Sequence, residues 1–212
     1  MTIKLYHCMD ARSFRCLWLL EEMVESYELI LLDYPPKETT PGYLQINPAG
    51  TVPCLVDGQT TLFESTAILE YLSADDEASP LAVPRGHAAY GDWLNWLHFG
   101  ETSLTVPLAA MFRYGHRLPP DQRLPAVVAD HRAQFIERLA VLESALADQE
   151  YLADRRFTAA DISVAYALML GKALGLGDQY SGTISAYWNR LRARPAFVAA
   201  KAVQKAAQGT PQ

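Results

Sequence analysis

Cysteine is scarce, with three in 212 residues. Cys8, Cys16 and Cys54 share no regular spacing and form no CxxC pair, which excludes a disulfide framework and a dithiol redox centre. The five histidines, His7, His87, His98, His116 and His131, are scattered without metal-ligand spacing, so no metal is expected. Positive charge is also short: 18 Lys and Arg stand against 24 Asp and Glu, for a formal net charge of -6. A nucleic-acid or anionic-membrane binder needs a basic face, so neither partner is expected. The apolar runs stop far short of the roughly 18 residues of a transmembrane helix. The opening MTIKLYHCMDARSF has no signal-peptide core, and a cytoplasmic location is expected.

What is present is an ordinary globular composition, 50% apolar and 20% charged. The length suits one large domain or two modest ones. Residues 2–6 (TIKLY) alternate and predict a strand, and 13–24 (SFRCLWLLEEMV) carry helical spacing. Glu21 and Glu22 sit late in that helix, where its dipole does not favour them. Residues 27–32 (YELILL) predict a buried strand, which completes a βαβ unit. Residues 33–48 predict a loop with one helical turn. Residues 53–56, an Asp57-Gly58 turn and 60–63 predict a hairpin. Glu64-Ser65 then opens a helix ending near Leu72. Residues 76–85 are polar, contain two prolines and read as a linker. Beyond it strand signals vanish, and 86–111, 124–149, 158–174, 181–192 and 196–207 predict helices. The expected organisation is an α/β domain over 1–75 and an all-α domain over 86–212.

Two short pairs carry chemistry. Val52-Pro53 stands before a strand. A trans proline would simply begin that strand, whereas a cis bond would turn the Val52 main chain toward an extended peptide. Ser65 opens a helix, where serine is a common cap. The same helix N-terminus can instead hold an anion, with Glu64 beside it to meet an amine. A carboxylate and an amine on one carbon make an amino-acid head group.

The order βαβ-ββα, TVPCL before the hairpin, ESTAILEYL after it, and the later FTAADISVAYAL and YWNRLRARPAFVAA closely resemble the glutathione S-transferase superfamily over nearly the whole chain. The resemblance implies a thioredoxin-like N-terminal domain and a C-terminal all-α helical bundle, with Pro53 cis. It implies that the Val52 backbone pairs with the cysteinyl residue of glutathione and that Glu64 and Ser65 hold its γ-glutamyl head. Lys37 is the nearest basic candidate for the glycine carboxylate. Thr158 and Asp161 match a capping box, with Phe157 and Ile162 as its hydrophobic staple, a structural role.

The family stabilises the glutathione thiolate with a hydroxyl or thiol after the first strand. Here the matching positions are Asp10 and Ala11. Ser13 ranks first as the substitute, with plain N-capping as its other reading. Arg12 ranks second, through its charge. Cys8 ranks third, through a mixed disulfide. The second substrate is expected between the domains, against Met111, Tyr114 and His116. Trp93 and Trp96 suit a core or a dimer contact better.

The resemblance thus implies a homodimeric, detoxifying transferase with glutathione as co-substrate and no metal. It would add the thiolate to small electrophilic, largely apolar compounds. Glutathione-dependent isomerase, lyase or disulfide reductase chemistry are alternatives within enzymes, and a non-catalytic binding or assembly module is the alternative outside them.

Overall fold

Leu5 and His7 turn inward from IKLYH, which forms β1 (Ile3–His7) in a computed structural model describing residues 2–74 and 80–208. The strand runs one residue later than expected because His7 is itself buried and pairs with Leu31. In α1 (Phe14–Met23) every residue from Phe14 to Leu20 is buried, so the helix has no solvent face over that stretch. It stops at Val24, whose left-handed φ of 57° lets its N–H reach the Leu20 carbonyl. Two short helical turns, α2 (Pro36–Thr39) and α3 (Tyr43–Ile46), follow β2 (Tyr27–Leu31), where only one was expected.

The four strands stand in the order β2-β1-β3-β4, with β1 parallel to β2 and antiparallel to β3 (Cys54–Asp57). Asp57 pairs with Thr60 of β4 (Thr60–Leu62), so the hairpin turn is Gly58-Gln59, one residue later than expected. Gly58 supplies the positive φ such a turn needs. The helix α4 (Ser65–Ser73) completes the thioredoxin-like order.

The described residues divide into two compact units, 2–74 with 192–208 and 80–191. Of the expected linker, 76–79 lie outside the described residues. Pro80 and Ala82 accept hydrogen bonds from the Arg156 guanidinium, which ties this part of the linker to the helical unit. Within that unit a long helical run begins at α5 (Tyr90–Phe99), four residues after its expected start. It passes through a wide six-residue π turn, Gly100–Thr105, into α6 (Val106–Phe112). Pro107 has no N–H to give the preceding turn, and the wide turn just upstream accommodates that loss. A Cβ on Gly100 would stand 2.6 Å from the Ser163 carbonyl carbon, so glycine alone permits this close approach. Three more helices follow: α7 (Pro125–Ala145), α8 (Ala159–Ala173) and α9 (Gly182–Arg192). Ala159 to Leu168 of α8 are buried throughout and form the centre of this unit.

The expected all-α domain ran to residue 212, yet α10 (Pro195–Gln208) packs in the sheet-bearing unit. Phe197 meets Phe14 and Trp18 edge-on, with ring centroids 5.4 and 5.0 Å apart. Arg194 grips Glu22 with two hydrogen bonds of 2.6 and 2.8 Å. Trp18 donates to Glu22 as well, and Tyr27 donates to Glu21. These partners offset the unfavourable late position of the acidic pair on α1. Among the described residues no helix is long and apolar enough to cross a membrane.

Candidate functional site

The segment NPAGTVP is folded by its own side chains. Asn47 is fully buried, accepts from the Ala49 N–H at 3.0 Å and donates to the Thr51 carbonyl at 2.8 Å. The Tyr43 hydroxyl donates to the same carbonyl at 2.6 Å. Gly50 has φ 64°, and a Cβ there would meet Lys37 Cβ at 2.8 Å and Leu44 Cδ2 at 2.9 Å. The turn therefore requires glycine, and it lays the stem of Lys37 against the approach to Val52. The Val52-Pro53 bond that follows is cis, and both residues are buried. The Lys37 stem thus lies on the Gly50 turn that leads into Val52-Pro53 at the entrance to β3.

At the start of α4 the cap expectation fails. Glu64, exposed and extended, is the capping position, and Ser65 is the first helical residue. The buried Ser65 hydroxyl instead accepts a hydrogen bond of 3.1 Å from Arg15. Arg15 is not among the site residues expected from the sequence. Its signal was a guanidinium inside the otherwise apolar SFRCLWLL. A buried cation is costly without partners, and its place here adds positive potential beneath a helix N-terminus that already favours anions.

The loop between β1 and α1 carries the candidates for the thiol. Ser13 is 0% exposed. Its hydroxyl accepts from the Cys8 N–H at 3.2 Å and donates to the Cys8 carbonyl at 3.4 Å. It caps no helix, and both of these bonds close the loop on itself. Cys8 is 1% exposed, and burial pushes its thiol up to about 12. It is no thiolate at neutral pH. Tyr6 is half-buried against Tyr43, 5.8 Å between ring centroids. Asp10 has φ 52° and directs its carboxylate to Lys201 and Gln204, each 2.6 Å away. Burial raises the Asp10 pKa, but the hydrogen bonds from Lys201 and Gln204 outweigh it and hold the group below its ordinary value. Arg12 is partly exposed at the turn leading into α1.

In the helical unit Met111 is buried, Tyr114 is half-buried under the Arg113 guanidinium at 5.8 Å, and His116 is exposed and stacked on Phe112. Trp93 and Trp96 belong to the core. Thr158 and Asp161 form the expected capping box. Among the described residues no group of three or more His, Cys, Asp or Glu is arranged to hold a metal ion.

Comparisons with known proteins agree with this geometry. Residues 1–74 match the family described as glutathione S-transferase, N-terminal domain, and residues 107–195 match glutathione S-transferase, C-terminal domain. Glutathione S-transferase 3 of Schizosaccharomyces pombe is 28% identical over 217 residues, covering 95% of this chain and 88% of the relative. Glutathione S-transferase 3 of Zea mays is 30% identical over 205 residues, covering 92% and 91%. The solved glutathione transferase from Phanerochaete chrysosporium in complex with oxidized glutathione superposes with a TM-score of 0.84 at 28% identity, covering 97% of each chain. Two matched domains in the expected order, and relatives that span almost the full length, show that the chain belongs to the glutathione S-transferase family.

Proposed function

We propose that this enzyme binds glutathione along the Val52-Pro53 edge, activates its thiol, and transfers it to a small electrophilic, largely apolar compound. The observation that carries the proposal is the Glu64-Ser65 helix start with the buried Arg15 beneath it, in the same fold unit as the cis Val52-Pro53. Ser65 and the first N–H groups of α4 take the γ-glutamyl carboxylate, and Glu64 takes its amine. Val52 pairs with the cysteinyl main chain, and Lys37 meets the glycine carboxylate. The thiol then releases its proton to solvent. The sulfur lone pair forms a C–S bond with the electrophilic carbon, and the leaving group departs with the displaced electron pair. Where the electrophile is an alkene instead, the adjacent carbon takes up a proton.

Arg12 stands ahead of Ser13 as the thiolate stabiliser, because both Ser13 hydrogen bonds go to Cys8. A guanidinium favours the charged form of a nearby thiol. Tyr114 and His116 are proposed to meet the second substrate, with Met111 as buried backing. The homodimer and the cytoplasmic location belong to the same proposal.

Calorimetry with glutathione is expected to show one site per chain at micromolar to millimolar affinity, roughly 4–8 kcal/mol. The bound thiol is expected to titrate below the free value of about 8.5. Arg12→Ala is expected to raise that midpoint by about one to two pH units, and Ser13→Ala by less. A larger rise in Ser13→Ala would return the role to the hydroxyl. No heat at millimolar glutathione would sink the transferase reading and leave the assembly module.

A further inference from the structure

The loop that carries Arg12 is tied from a distance. Gln204 on α10 is 1% exposed, an amide buried with both ends in use. Its Oε1 accepts from His7 Nε2 at 3.0 Å and from the Asp10 N–H at 3.3 Å. Its Nε2 donates to Asp10 Oδ1 at 2.6 Å, and Lys201, one helical turn earlier, donates to the same oxygen at 2.6 Å. One side chain therefore engages the last residue of β1 together with the main chain and the side chain of Asp10. Asp10 holds a left-handed φ of 52°, a conformation uncommon outside glycine that aspartate adopts more readily than most residues. Ser13 closes the other end of the loop on Cys8. Arg12 lies between these two ties.

We infer that Gln204, assisted by Lys201, is a positioning residue of the transferase site: it fixes the 9–12 loop through Asp10 and so sets where the Arg12 guanidinium stands relative to the glutathione sulfur. The inference rests on the thiol activation proposed above. It gives Asp10 a task at the position where the family places a hydroxyl. Its carboxylate faces α10 and fixes the loop that carries the stabilising cation. Lys201 adds a partly exposed ion pair, which solvent weakens, so the buried amide carries the larger share.

The test uses the full chain and steady-state conjugation of glutathione to an aromatic halide across pH. Gln204→Met keeps the volume and removes all three hydrogen bonds. It is expected to lower kcat about tenfold and to move the midpoint of the pH–rate profile up by about one pH unit. The KM for glutathione is expected to stay within about twofold, because the peptide is held elsewhere. Lys201→Met is expected to lower kcat only about two- to threefold. Gln204→Glu sets two carboxylates against each other and is expected to do worse than Gln204→Met. The double variant Asp10→Asn/Gln204→Glu restores an amide–carboxylate pair with its direction reversed and is expected to recover most of the rate. A role in stability alone would lower Tm and leave the pH midpoint in place, and that result overturns the inference. So does a reversed pair no better than Gln204→Glu. Should Gln204→Met fail to fold, the comparison of Gln204→Glu with the reversed pair decides. A wild-type protein that binds glutathione and conjugates nothing overturns the transferase reading instead, and is told apart by appearing before any substitution is made.

Discussion

His7 in the sheet-bearing unit and Asp161 in the helical unit are both fully buried and titratable, and burial moves them in opposite directions. It lowers His7 to about 4, against the smaller opposing effect of its Gln204 hydrogen bond. It raises Asp161 to about 6, although hydrogen bonds from Leu152, Thr158 and Tyr187 pull the other way. At pH 7 His7 is therefore neutral and Asp161 ionised. The neutral ring shares a single amide with Asp10, whereas the carboxylate takes the Leu152 N–H, the Thr158 N–H and hydroxyl, and the Tyr187 hydroxyl. A buried neutral group is tolerated with few partners, while a buried charge needs its full set.

Removing each hub breaks the comparison most forcefully. Asp161→Ala orphans two buried backbone donors and two hydroxyls, and is expected to destabilise the protein by about 3–5 kcal/mol. His7→Leu removes one hydrogen bond, leaves Gln204 its contacts to Asp10, and is expected to lose only about 1–2 kcal/mol. Guanidinium unfolding followed by tryptophan fluorescence measures both. Equal losses would mean that the number of partners is not what separates the two sites.

Acid sharpens the comparison further. The His7 pKa is depressed in the folded state, so its contribution is fully present above about 6.5 and is lost as pH falls toward 4. At about 1.36 kcal/mol per pH unit the loss is on the order of 3 kcal/mol. Asp161 has the opposite sign. Its folded pKa is raised, so its contribution is full below 3.8 and is lost as pH rises through 6. Between pH 6.5 and 4 the two terms largely offset each other in global stability. Hydrogen exchange, corrected for the intrinsic rate, is expected to resolve them: on acidification peptides covering 3–13 lose protection, while those covering 152–162 gain it. Parallel movement in both regions would refute the assignment.

The smallest expected effect comes from a site outside either hub. Val24 ends α1 in the left-handed region while 90% exposed, and a β-branched residue is strained there. Val24→Gly is expected to stabilise by about 1 kcal/mol in the same unfolding assay without moving the pH behaviour of either hub.

The same contrast explains what was legible in the sequence. The Thr158–Asp161 box was readable because its two members lie within one helical turn, where residue types dictate the contact. The order of strands and helices along the first 75 residues was readable because alternation, the βαβ spacing and the hairpin are all local signals. The His7–Gln204 bond was not, because 197 residues separate its partners. The pattern of α10 announced a helix with a face to bury and said nothing about which unit would bury it. For Ser13 and Ser65 the local preference offers capping as one of two readings, and neither hydroxyl caps: the Cys8 backbone five residues away engages the first and Arg15, distant in sequence, the second. Arg15 itself was the reverse case: a charge in an apolar stretch, visible in the sequence, whose purpose needed Ser65 beside it in space.

The return of α10 to β1 has a consequence for synthesis on the ribosome. The strand, loop and helix that hold Arg12 emerge first, yet the amide that sets the loop is translated 197 residues later, roughly 10–40 s at about 5–20 residues per second. Throughout that interval Phe14 and Trp18 of α1 lack the Phe197 ring that covers them, and those apolar groups are open to chaperones. A chain halted after α9 would carry every glutathione-holding residue named above and lack Gln204 and Lys201. On the proposed reading such incomplete products are expected to conjugate glutathione about tenfold or more slowly than the full chain.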